Sequence, residues 1–83
     1  MSGDLDPRLT EAFRLALGQP TVVISPWATM ADTEGWDSFA HINLVLAVED
    51  AFGVEFDADE IPQLVEVPNI TAALIARGAL PVG

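Results

Sequence analysis

The sequence predicts an all-α domain of three main helices and one short helix, with a long loop after the first. Three observations predict it. Apolar residues recur at helical spacing in three separate stretches. An acid or a proline opens each stretch, and a glycine closes it. The one strand-like alternation, Val54-Glu55-Phe56, has no second run to pair with.

Asp6-Pro7 announces the first helix, an N-cap acid followed by a proline suited to the first helical position. Leu9, Phe13, Ala16 and Leu17 continue it, and Gly18 with Pro20 marks its end. The stretch from Gln19 to Asp37 is long for a loop in a compact domain, and such loops tend to be functional. Val22-Val23-Ile24, Trp27 and Met30 are expected to pin it to the core, and packing is the favoured role for Trp27 and Trp36 over ligand stacking. The second helix starts at Asp37 or Ser38 and runs to about Phe52, with Gly53 past its end. Asp57 and Glu60 have capping-box spacing, which predicts a short helix around Ala58 to Ile61, limited by Pro62. The last helix starts at Pro68, turns Ile70, Leu74 and Ile75 inward, and stops at Gly78. The chain reads as one domain over 1–83, with an ordered core of about residues 5–78.

Composition narrows the function. Half the residues are hydrophobic, against intrinsic disorder, yet the net charge is −10, from 13 acids, three arginines and no lysine. Ten of those acids lie between Asp32 and Glu66, a segment with no Lys or Arg. Such a surface repels nucleic acid and anionic membranes and attracts basic protein partners. Cysteine is absent, so any thiol chemistry needs an added group, and one histidine without cysteine makes zinc improbable. Asp57, Asp59 and Glu60 suggest calcium, but Ile61 and Pro62 stand where an EF-hand needs a ligand and a glycine. The first six residues lack the basic and apolar regions of a signal peptide, and runs such as Leu44–Val48 are too short to span a bilayer. A cytoplasmic, monomeric protein is expected, too small for a deep substrate cleft.

At about 100° per residue the second helix divides into two stripes. His41, Leu44, Val45, Val48, Ala51 and Phe52 form an uncharged one, expected to face the core. Phe39, Ile42, Asn43, Leu46, Glu49 and Asp50 form the other, whose acids cannot be desolvated cheaply. An outward apolar strip rimmed by carboxylates has the character of a docking surface.

Ser38 stands at the start of this helix and admits three readings: an N-cap, part of a hydrolytic triad with Asp37 and His41, or a site of covalent modification. The triad is disfavoured, because triads join separate segments and His41 falls on the inward stripe. Modification is favoured electrostatically, since the positive end of a helix welcomes a phosphodiester.

Gly35-Trp36-Asp37-Ser38-Phe39, followed by the run Ile42 to Val54, resembles the phosphopantetheine attachment region of acyl carrier proteins. The likeness continues through Phe56, Ile61 and Val67-Pro68-Asn69-Ile70, covering about residues 5–78. It implies an acyl-carrier-like four-helix bundle with no catalytic residues of its own. It implies that Ser38 bears 4′-phosphopantetheine from coenzyme A, with Asp37 helping the phosphopantetheinyl transferase recognise the site. Phe39, Ile42, Leu46, Glu49 and Asp50 match partner-facing positions, for acyl-loading and for condensing or tailoring enzymes. Asn43 replaces an acid common in fatty-acid carriers, Phe39 replaces leucine, and His41 is uncommon in the family. The implied cargo is a thioester-linked intermediate of a polyketide, fatty-acid or related specialised pathway. The alternatives are an aminoacyl or peptidyl carrier of a nonribosomal peptide pathway, and an unmodified acidic adaptor for a basic partner.

Overall fold

The computed structural model describes residues 5–81 and contains α1 (Pro7–Leu17), α2 (Ser38–Phe52), a 3-10 turn (Ile61–Gln63) and α3 (Val67–Ala76). The first four residues, where signal-peptide features were sought, and the last two lie outside the described residues.

The helix ends follow the predicted punctuation. Asp6 caps α1 by accepting the Arg8 backbone N–H at 2.8 Å, and Gly18 ends it in the left-handed conformation at φ 66°. Burial alone would raise the Asp6 carboxyl, but hydrogen bonds from the Arg8 side chain and backbone, with the Arg8 charge, bring it below its ordinary value. Gly53 ends α2 in the same left-handed way. α1 packs along α2, Leu9, Ala12 and Phe13 meeting the buried side of α2 at Leu44, Val45 and Val48. Val67, Ile70 and Leu74 of α3 complete the same core, whereas Ile75 is only half-buried. Ala51 departs from expectation. It lies on the inward arc by angle, yet in the last turn of α2 its methyl is exposed, because an angle gives a direction and not a neighbour.

The predicted short helix forms later and tighter than expected. Residues 58–60 make a turn, and a 3-10 turn follows at Ile61–Gln63. Pro62 has no N–H for an α-helical bond, so shorter i→i+3 bonds take over, Gln63 N–H to Glu60 O at 2.8 Å and Leu64 N–H to Ile61 O at 3.1 Å. The capping spacing is realised in half: Glu60 accepts the Asp57 N–H at 2.9 Å. Val54-Glu55-Phe56 forms no strand; the Phe56 N–H goes to the Glu49 carboxylate at 2.8 Å.

The long loop is tied down at several points. Ile24 and Trp36 are buried, Val22 and Met30 half-buried, and Arg14 Nε donates to Val22 O at 3.0 Å. Met30 N–H to Val65 O and Val67 N–H to Ala28 O, both 2.8 Å, fasten its middle to the approach to α3. Gly35 sits at φ 87°, a backbone conformation that strains any residue with a Cβ, so the turn before Trp36 favours glycine, whereas the Gln19 side-chain end 2.6 Å from such a Cβ could swing aside. Val23 and Trp27 do not pin the loop as expected. With Val22 and Ile24 turned inward, the residue between them faces out, and Trp27 stands exposed in the turn after Pro26.

Candidate functional site

The loop delivers the chain to α2 through Trp36-Asp37-Ser38. Asp37 is the N-cap, its Oδ1 accepting the Ala40 N–H at 2.8 Å while its carbonyl accepts the His41 N–H at 2.8 Å. Ser38 is thus not the cap. The capping bond, worth about 1 kcal/mol, belongs to Asp37. Ser38 is the first helical residue and is exposed, so its hydroxyl is not spent on capping and stands at the positive end of a 15-residue helix.

Beneath Ser38 the site is held by Trp36 and His41. The Trp36 Nε1–H donates to His41 Nδ1 at 3.0 Å, and His41 Nε2 lies 2.9 Å from the Ile61 carbonyl. An indole N–H can only donate and a carbonyl can only accept. His41 therefore carries its proton on Nε2 and accepts on Nδ1, with both nitrogens committed. The imidazole ties the end of the loop to the 3-10 turn and has no lone pair to offer Ser38, which removes the triad reading. Trp36 also meets Phe13 of α1 edge-on, with ring centroids 5.0 Å apart. The sequence placed His41 on the inward stripe but could not name its partners, which come from the loop and the 3-10 turn.

The outward stripe of α2 lies where the angular count put it. Phe39, Ile42 and Leu46 are exposed by 79%, 52% and 58%, with Asn43 and Asp50 exposed beside them. Glu49 differs, being half-buried at the edge of the stripe with its carboxylate holding the Phe56 N–H. Asp37 adds an exposed carboxylate at the other end.

A second fastening, which the sequence did not disclose, lies at the end of α3. Arg77 pairs with the Glu60 carboxylate, donates to Glu55 O at 3.1 Å, and lays its guanidinium 4.7 Å from the centre of the Phe56 ring. The Asp57 N–H and the Arg77 side chain hold Glu60 below the ordinary glutamate value. Among the described residues no cluster of His, Cys, Asp and Glu could hold a metal, and no helix is long and apolar enough to cross a membrane.

The family model described as the phosphopantetheine attachment site matches residues 7–74, which takes in the loop, the exposed serine and all three helices up to Leu74. The chain belongs to the phosphopantetheine-binding carrier family. Acyl carrier protein 3 of Ralstonia nicotianae is 37% identical over 68 residues, covering 77% of this chain and 78% of that protein. The acyl carrier protein of Streptomyces coelicolor is 35% identical over 60 residues, covering 72% of this chain and 65% of that protein. No solved structure matches the chain significantly. As an acyl carrier protein the chain is a carrier and not an enzyme, its cofactor is phosphopantetheine, and it works with a phosphopantetheinyl transferase and pathway enzymes. The unmodified-adaptor reading is set aside by this membership.

Proposed function

We propose that Ser38 is the residue that carries the 4′-phosphopantetheine. The observation behind this is its exposed hydroxyl at the first position of α2, freed from capping by Asp37. In the reaction Ser38 Oγ forms a bond to the pantetheine-bearing phosphorus of coenzyme A and the pyrophosphate bridge breaks. Adenosine 3′,5′-bisphosphate leaves, and the hydroxyl proton passes to a base of the transferase. The arm supplies the thiol that a cysteine-free chain lacks, on which an acyl group is held as a thioester. The chain's own contribution is positional. Asp37 and the Trp36–His41–Ile61 connection fix the serine, and the Ser38 and Phe39 N–H groups, which Asp37 does not take, are offered to the phosphodiester.

We propose acyl cargo over aminoacyl cargo, since both relatives are named as acyl carrier proteins, and a polyketide, fatty-acid or related specialised pathway. Loading, condensing or tailoring enzymes dock on Phe39, Ile42 and Leu46, with Asp50 steering basic partners and Glu49 dividing its carboxylate between the rim and Phe56.

Intact-mass measurement after incubation with coenzyme A, Mg²⁺ and a broad-specificity transferase tests the attachment site, with a mass gain of one phosphopantetheinyl group expected for the wild type and none for Ser38→Ala. Asp50→Lys should slow association with a pathway enzyme, the difference fading as salt rises. Equal rates at low salt would move the docking face off this stripe.

A further inference from the structure

The loop holds a feature that neither attachment nor docking on α2 uses. Trp27 is 72% exposed at the edge of an open recess of about 460 Å³, walled by Val23 and Ile24 and by the acidic residues Asp32 and Glu34. That volume is within the usual range for ligand pockets, and the lining combines an aromatic ring with carboxylates. The Asp32 side chain accepts from Thr29 Oγ1 at 3.0 Å, which orients it, while Glu34 is exposed.

The same pairing of ring and carboxylate occurs elsewhere in the molecule with its cation in place. Arg77 lies over Phe56 and pairs with Glu60, and Arg8 lies 4.3 Å from the centre of the Phe52 ring and pairs with Asp6. The third arginine, Arg14, is turned to the Val22 carbonyl, and the chain has no lysine. None of the three arginines lines the recess. Trp27, Asp32 and Glu34 thus border one recess with the two kinds of group that hold Arg8 and Arg77, and no arginine of the chain lines it.

We infer that this recess receives an arginine side chain of a partner protein, the guanidinium stacking on Trp27 and facing the carboxylates of Asp32 and Glu34. A guanidinium suits it better than an ammonium, because a planar delocalised cation stacks on an indole while presenting N–H groups at its edge. The contact is separate from the α2 stripe and extends the docking area onto the loop that leads to Ser38.

Two-dimensional NMR offers a direct test, because each tryptophan gives one indole N–H signal and Trp36 serves as the internal fold control. The probe is N-acetyl-arginine N-methylamide at low ionic strength. Its citrulline analogue is the neutral control, its lysine analogue the ammonium control, and sodium chloride the salt control. The expected result is a saturable shift of the Trp27 indole with the arginine probe, a weaker response to lysine and none to citrulline, with Trp36 unmoved. Asp32→Asn with Glu34→Gln should abolish the response. Trp27→Phe should weaken binding about two- to fivefold, read from the Asp32 and Glu34 amides. A Trp27 signal that stays still, responds equally to citrulline or to lysine, or is reproduced by salt alone would overturn the inference. Ser38 takes no part in the titration, so that failure would leave the carrier assignment standing.

Discussion

Trp27 and Trp36 lie nine residues apart in one loop, yet they meet opposite fates: Trp36 is 3% exposed and Trp27 is 72% exposed. Both are large apolar groups with one N–H to satisfy. Trp36 stands just before the cap of α2, where that helix supplies His41 as an acceptor and α1 supplies the edge-on contact with Phe13. Trp27 follows Pro26 in a turn, and its ring is left to solvent. What separates the two residues is an acceptor within reach, not hydrophobicity. The region around Trp36 is consequently built to hold Ser38 still, while the region around Trp27 is open to a partner.

The largest effect should come from breaking the Trp36 side. Trp36→Ala removes a buried ring and strands His41 Nδ1, and should cost about 3–5 kcal/mol in urea unfolding. His41→Leu leaves the Trp36 N–H and the Ile61 carbonyl unpartnered and should cost about 1–3 kcal/mol. The double variant should cost less than the sum, because each single change already breaks the shared bond. Strict additivity would show that the indole–imidazole bond contributes nothing.

A smaller effect tests the turn that receives His41 from its other side. Glu60 precedes Ile61 and is held below the ordinary glutamate value by the Asp57 N–H and by Arg77. Folding therefore gains stability from Glu60 above its unfolded value, and the gain is lost as pH falls through the lower folded value. In urea melts across that acid range, the wild type should lose its advantage over Glu60→Gln. A constant difference at every pH would mean that the charge of Glu60 does not fasten the turn.

The smallest effect belongs to Trp27. Trp27→Ala should change stability by no more than about 0.5 kcal/mol, since little of the ring is buried. A loss comparable to that of Trp36→Ala would show that the two regions do not differ as described.

Much of this arrangement was legible in the sequence, and the residues show why the rest was not. Asp6-Pro7, Gly18, Gly53 and the outward strip Phe39, Ile42, Leu46 were readable because caps and periodicity depend on neighbours a few positions away. The 3-10 turn differed because Pro62 acts on hydrogen bonding more strongly than the capping spacing does. His41 with Ile61, Glu49 with Phe56 and Arg77 with Glu60 join residues from different segments, and spacing carries no record of such meetings. Trp27 shows the limit plainly. Its residue type argued for burial, and only the path of the loop decided against it.

The central claim is that Ser38, held by Asp37 and Trp36 yet chemically free, is the attachment point. The most direct measurement is intact mass of the wild type and Ser38→Ala after transferase treatment with coenzyme A, on samples shown to be folded by the indole signal of Trp36. One phosphopantetheinyl group is expected on the wild type and none on the variant. A wild type left unmodified by transferases of several specificities, or a variant that still gains the group, would contradict it.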